Sequence, residues 1–157
     1  MLDSLAVGAA WRDNVDFKLE LIIIPVSDVD RAKAFYTENL GCKLEVDGTA
    51  NEGARIVQVT PPGSACSIGF GSGLSLGTTP LVTAAPGSQR GLHLVVDDIA
   101  AARSELIARG VQVGEIWHIE DGQWKPGLDR GRSSYMSFAE FSDPDGNLWL
   151  LQEVRHG

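Results

Sequence analysis

The chain contains the same pattern twice, and that repeat limits its fold more than any other feature. An apolar run from Leu19 to Val26 is followed by Ser27-Asp28, which offers N-cap chemistry for a helix. Val29, Ala32, Phe35, Tyr36 and Leu40 then recur at helical spacing, and Gly41 stands where a C-cap glycine belongs. Further along, Leu92 to Val96 forms a second apolar run and Asp97-Asp98 a second cap. Ile99, Ala102, Leu106 and Ile107 line a second helical face, which Gly110 ends. Placing Asp28 on Asp98 matches Val26 with Val96 and Ala32 with Ala102; one residue of slack in the helix brings Gly41 onto Gly110.

The module ends correspond as well. Residues 55–59 pass through Thr60-Pro61-Pro62-Gly63 into the run 66–70, and residues 137–141 pass through Asp143-Pro144-Asp145-Gly146 into 148–152. Proline two residues before glycine, between strand-like runs, is turn chemistry. The expected order is strand–helix–strand–strand–strand, twice: an α+β fold of two tandem βαβββ modules. Residues 1–17 read as an N-terminal extension, a fraying arm or a dimer strap. Residues 18–75 and 90–157 read as the modules, and 76–89 as a linker of Gly, Ser, Thr, Pro and Ala composition. A lid-like loop over 119–134 interrupts the second module; disorder is the competing reading.

A net charge of -8 gives no electrostatic route to nucleic acid or anionic lipid. No apolar stretch is long enough to span a bilayer, and residues 1–16 lack the basic start and apolar core of a signal peptide. The two cysteines, Cys42 and Cys66, lack both a disulfide framework and metal-site spacing, which points to a reducing, cytoplasmic setting.

This duplicated order resembles the vicinal oxygen chelate superfamily, which includes glyoxalases, bleomycin-resistance proteins and extradiol dioxygenases. The likeness rests on Val26-Ser27-Asp28-Val29 before Ala34-Phe35-Tyr36 and Leu40-Gly41, and on the late turn Asp143-Pro144-Asp145-Gly146-Asn147. The resemblance implies curved mixed sheets around a central cleft, with the first and last strands of each module paired in parallel at its floor. It also implies four metal-ligand positions, filled by His, Glu or Gln in metal-using members. Carried onto this chain, those positions are Leu21 and Ser67 in the first module and Gly91 and Leu150 in the second. Leucine and glycine offer no side-chain donor, so no metal and no cofactor is expected. A shift of two residues keeps the strand face and gives Ile23, Gly69, His93 and Gln152. On that register His93 and Gln152 are expected to face the cleft as neighbours.

His93 is either a satisfied core histidine or an acid/base group, since imidazole titrates near neutrality. Gln152 orients a ligand without moving protons. Glu140 is a buried acid if it points inward, with a solvated glutamate favoured; His118 is expected at the solvated surface. Ser67 is a hydrogen-bonding group or a small residue making room. Trp117, Trp124 and Tyr135 bracket the lid and either stack on a planar ligand or pack in the core. Trp149 is expected to face the helices.

Two functions fit. In the first, Ser67, Gln152, Trp124, Tyr135 and Glu140 help hold a hydrophobic or planar small molecule without a metal. In the second, a metal-independent lyase, isomerase or cyclase uses His93 as acid/base. Catalysis is left open by the residues. A homodimer is expected, and whether one chain or two form the cleft is also left open.

Overall fold

Each half of the chain builds its own sheet, and the two sheets share one core. The computed structural model describes residues 14–49 and 53–155, so most of the N-terminal extension lies outside the described residues. The first module comprises β1 (Leu21–Ile23), α1 (Val29–Ala34), β2 (Lys43–Thr49), β3 (Arg55–Thr60) and β4 (Ser67–Ser72), with strand order β1-β4-β3-β2. The second comprises β7 (Leu92–Val96), α2 (Ile99–Ala108), β8 (Trp117–Glu120), β9 (Gln123–Pro126), β10 (Ser137–Ser142) and β11 (Leu148–Glu153), with order β7-β11-β10-β8-β9. Between them, β5 (Ser75–Leu76) and β6 (Thr79–Pro80) make a small hairpin. The architecture is the expected α+β duplication, and the first and last strands of each module pair in parallel.

The caps form as their chemistry dictates. Asp28 Oδ1 accepts from Arg31 N at 3.0 Å, and Asp98 Oδ1 accepts from Ala101 N at 3.0 Å. Gly41 (φ +78°) and Gly110 (φ +89°) end the helical segments in the left-handed region, which glycine enters without a Cβ penalty. The one residue of slack between the modules has a structural cause. After Val29–Ala34 the chain widens into a π-turn over Phe35–Asn39, in which Leu40 N donates to Phe35 O at 3.0 Å. A π-turn accommodates one extra residue without breaking the helix.

Tyr36, Phe70, Ile24, Val57, Ile99 and Leu151 are almost wholly buried in the shared core. Each aliphatic or aromatic side chain of this kind contributes about 1.5–3 kcal/mol by leaving water. Trp149 joins them, as expected, its ring stacked on Phe141 at 6.1 Å and set edge-on to Tyr36 at 6.0 Å.

Polar contacts lock the modules together at the Asp143–Asn147 turn. Asp143 Oδ1 accepts the backbone N–H groups of Asp145, Gly146 and Asn147. Asn147 Nδ2 donates to Pro25 O at 2.8 Å, and Asp145 accepts from Ser27 N and from Arg31 Nη2. The most recognisable motif of the sequence is therefore a clasp between modules.

The segment expected to be an irregular lid is, in its first half, the β8–β9 hairpin, which extends the second sheet beyond β10. Its second half is anchored: Asp129 Oδ2 accepts from Ser133 N at 2.7 Å, and Arg132 pairs with the buried Glu153. Among the described residues, no helix is long and apolar enough to cross a membrane.

Candidate functional site

Strand pleating assigns each residue of the second sheet to a face. On β7, Leu92, Leu94 and Val96 pack against the core, while His93 and Val95 are exposed. On β10, Ser137, Ala139 and Phe141 are buried and Phe138 and Glu140 look outward; on β11, Trp149, Leu151 and Glu153 are buried, leaving Leu150 and Gln152 outward. Register then fixes the neighbours on the open face. Phe138 lies opposite Trp117 on one side and Gln152 on the other, and Leu150 lies between Glu140 and His93.

The face is aromatic. Trp124 meets Phe138 edge-on at 5.3 Å, and Phe138 meets the His93 ring edge-on at 6.3 Å. A groove of about 280 Å³ runs beside this row, lined by Trp117, Trp124, Phe138, Glu140 and Leu150 among others. A larger hollow of about 560 Å³ lies along residues 110–114 and 140–144 with Phe35, away from the aromatic row and His93. His93 stands beyond Leu150, outside the lining of either hollow. His93 Nδ1 lies 2.6 Å from Gly91 O. A carbonyl oxygen only accepts, so in the neutral ring Nδ1 carries the proton and Nε2 keeps its lone pair.

The structure brings His93, Glu140 and Trp124 to one face and corrects the expected pairing of His93 with Gln152. Both residues face outward, but His93 lies across from Leu150, and Gln152 lies across from Val95. The two modules differ in the span between paired strand and cap: His93, which pairs with Leu150, is five residues before Asp98, and the residue seven before it, Gly91, lies outside β7. In the first module the same count holds, and Leu21 lies across from Ser67.

Ser67 is buried on the first sheet, its Oγ 2.7 Å from Thr60 Oγ1, and it does not line the groove. Leu21 leans over Gly69, close enough that an added Cβ there would lie 3.0 Å from Leu21 Cδ1. Tyr135 is exposed at φ +72°, and its carbonyl accepts from Gln152 Nε2 at 3.3 Å. His118, expected at the solvated surface, is instead 8% exposed, with Nδ1 2.7 Å from Gly127 O. Pairing of β8 with β10 sets it opposite the fully buried Ser137. Phe138 is the central ring of the face, and sequence reasoning passed over it. Its shared parity with Glu140 was the available signal.

On the observed register, the four floor positions are Leu21, Ser67, His93 and Leu150. One imidazole and one hydroxyl already engaged by Thr60 do not fit a divalent cation. Among the described residues, no three His, Cys, Asp or Glu side chains group closely enough to hold one.

Residues 18–151 match the family model described as the Glyoxalase/Bleomycin resistance protein/Dioxygenase superfamily. Among solved structures, the chain is similar to TnmS3, an antibiotic binding protein from Streptomyces sp. CB03234, with 32% identity and a TM-score of 0.66 over 91% of this chain and 99% of that one. It is also similar to a glyoxalase/bleomycin resistance protein from the same organism, with 34% identity and a TM-score of 0.62 over 86% and 99% of the two chains. A superfamily member from Sphaerobacter thermophilus DSM 20745 shares 29% identity at a TM-score of 0.64, over 88% and 98%. No curated protein matches the chain.

Proposed function

The chain belongs to the glyoxalase/bleomycin resistance protein/dioxygenase superfamily, and we propose that within it this protein binds a hydrophobic or planar small molecule without a metal. One observation carries the proposal: the outward row of Trp124, Phe138 and His93 beside a groove whose floor is Leu150. Aromatic edges and faces beside a concavity suit a flat apolar ligand. The antibiotic-binding character of TnmS3 supports the same reading. Metal independence draws its support from the side chains at the four floor positions, two of which are leucines. In this reading Gln152 and Glu140 orient the ligand and Tyr135 sits at the rim.

The protein acts as a homodimer in the cytoplasm on this proposal. Val95 is 54% exposed, Trp117 45% and Trp124 58%, and apolar side chains exposed together on one sheet suit burial against a second copy. The open face of the first sheet from a second copy would close over it. Cys42 and Cys66 are both unpaired, in keeping with a reducing compartment.

A second reading is a metal-independent lyase, isomerase or cyclase. It rests on His93, whose Nε2 makes no hydrogen bond among the described residues and is available to take a proton. A thermal-shift screen against a metabolite library, with and without EDTA, tests the binding proposal: a ligand raises apparent stability equally in both series. Stabilisation that disappears with EDTA would overturn metal independence. For a hit, turnover lost with affinity retained in His93→Ala would favour the enzyme.

A further inference from the structure

The open face of the second sheet carries hydrogen-bond acceptors in a definite arrangement. Glu140, Leu150 and His93 are consecutive across β10, β11 and β7, so the carboxylate and the imidazole flank an apolar floor. Two strand spacings put their Cα atoms about 10 Å apart. His93 Nε2 is the unprotonated nitrogen of the neutral ring, because Nδ1 is held by Gly91 O. The Glu140 side chain is exposed and lies beside Gly114, and no hydrogen bond or ion pair engages its carboxylate among the described residues. Among the described residues, no lysine or arginine lines the groove, whose charged residues are Glu140 and Glu115; His93 stands beyond Leu150, outside that lining. The two groups that flank Leu150 are therefore both hydrogen-bond acceptors, while the indole N–H groups of Trp117 and Trp124 stand beside the groove.

We propose that this face selects aromatic molecules with hydrogen-bond donors on two opposite edges, one donating to His93 Nε2 and the other to Glu140. The ring system lies over Leu150 beside Phe138 and Trp124, and its hydroxyl or amine groups reach outward to the two acceptors. This inference rests on the proposed binding of a planar ligand and adds the pattern of polar groups that ligand must carry. An aromatic of the same shape bearing only acceptors, such as ether oxygens, leaves both His93 Nε2 and Glu140 without a donor and binds more weakly.

The experiment uses the intact protein and three naphthalenes of one shape: a dihydroxynaphthalene with its hydroxyls on opposite rings, its monomethyl ether and its dimethyl ether. Affinities come from quenching of tryptophan fluorescence. A neutral hydrogen bond is worth roughly three- to tenfold in affinity, so the dihydroxy compound should bind at least about tenfold tighter than the dimethyl ether, with the monomethyl ether between. His93→Phe keeps an aromatic edge against Phe138 and removes the acceptor; Glu140→Leu removes the other. Each variant should lose about three- to tenfold for the dihydroxy compound and leave the dimethyl ether nearly unchanged. Both sites are exposed, so neither change removes core packing. Equal affinity of the three compounds for the unaltered protein overturns the donor pattern while leaving planar binding intact. A dihydroxy preference that survives both substitutions assigns the selection to other groups and also overturns it. Failure of all three compounds to bind sinks the underlying reading of the aromatic face.

Discussion

The hydroxyl of Tyr36 donates to Asp143 Oδ2 at 2.7 Å and accepts from Trp149 Nε1 at 3.0 Å, joining the π-turn of the first module to the late turn and last strand of the second. All three groups are buried. Burial, followed by the neighbouring Asp143 carboxylate, pushes the Tyr36 phenol above its ordinary range. Tyr36→Phe keeps the ring and strips both bonds, leaving the Trp149 N–H without its acceptor. The expected loss is about 1–3 kcal/mol, seen as a lower urea midpoint at an unchanged slope. The sign with pH also follows. A phenol whose folded pKa is raised adds stability below the unfolded value of about 10 and loses it as pH rises above that point. The parent should therefore destabilise more steeply above that pH than Tyr36→Phe.

Glu153 is fully buried, yet its carboxyl is held below the usual range. Burial is the largest influence and works upward; the hydrogen bond from Arg132 and the N–H of Ile99 at the start of α2 together outweigh it. A depressed carboxyl contributes stability above its unfolded pKa of about 4.3, and the contribution fades as pH falls through the folded value. Glu153→Gln should cost about 2–3 kcal/mol at neutral pH, in the range for charge-assisted hydrogen bonds. It should also flatten the acid limb of the stability profile. Urea midpoints measured from neutral pH down to about pH 3 check both, and an acid limb as steep in the variant as in the parent would assign the effect elsewhere.

Much of this arrangement was legible in the sequence, because it depends on local chemistry. The two Asp caps and the two C-cap glycines follow from periodicity and turn residues, the parallel first and last strands are what the family resemblance implies, and the single residue of slack became the π-turn at Phe35–Asn39. What the sequence could not supply was tertiary. Strand pairing set His93 across from Leu150, and the β8–β10 pairing carried His118 inside. Alternation placed Phe138 and Glu140 on one face without saying which face was buried. The partners of Asp143 and Asp145 lie more than 100 residues away at Tyr36 and Ser27, beyond any local pattern.

The two cysteines should differ sharply in reactivity. Burial pushes the Cys42 thiol up to about 12, and that side chain is 6% exposed, whereas Cys66 is partly exposed just before β4. The thiolate is the reactive form, so Cys42 is protected both by its proton and by the core around it. A disulfide reagent at pH 8 should modify one thiol per chain readily. The second should react only at the rate at which the core opens, and that rate should rise with urea. Two equivalents consumed at equal rates in the folded protein would contradict the burial of Cys42.

Trp124 separates binding from stability. It is 58% exposed on β9 and meets Phe138 edge-on, so Trp124→Ala removes little core packing. Surface substitutions of this kind usually change stability by about 0.5 kcal/mol or less, whereas an aromatic contact to a ligand is worth about 0.5–1.5 kcal/mol. The thermal midpoint of the free protein should therefore stay almost unchanged while affinity for a planar ligand falls roughly two- to tenfold. Phe138→Ala should weaken binding and stability together, because Phe138 supports both Trp124 and His93. If Trp124→Ala lowered the midpoint as far as Phe138→Ala while leaving affinity intact, the outward ring would be a packing element, and the ligand would have to bind elsewhere on the molecule.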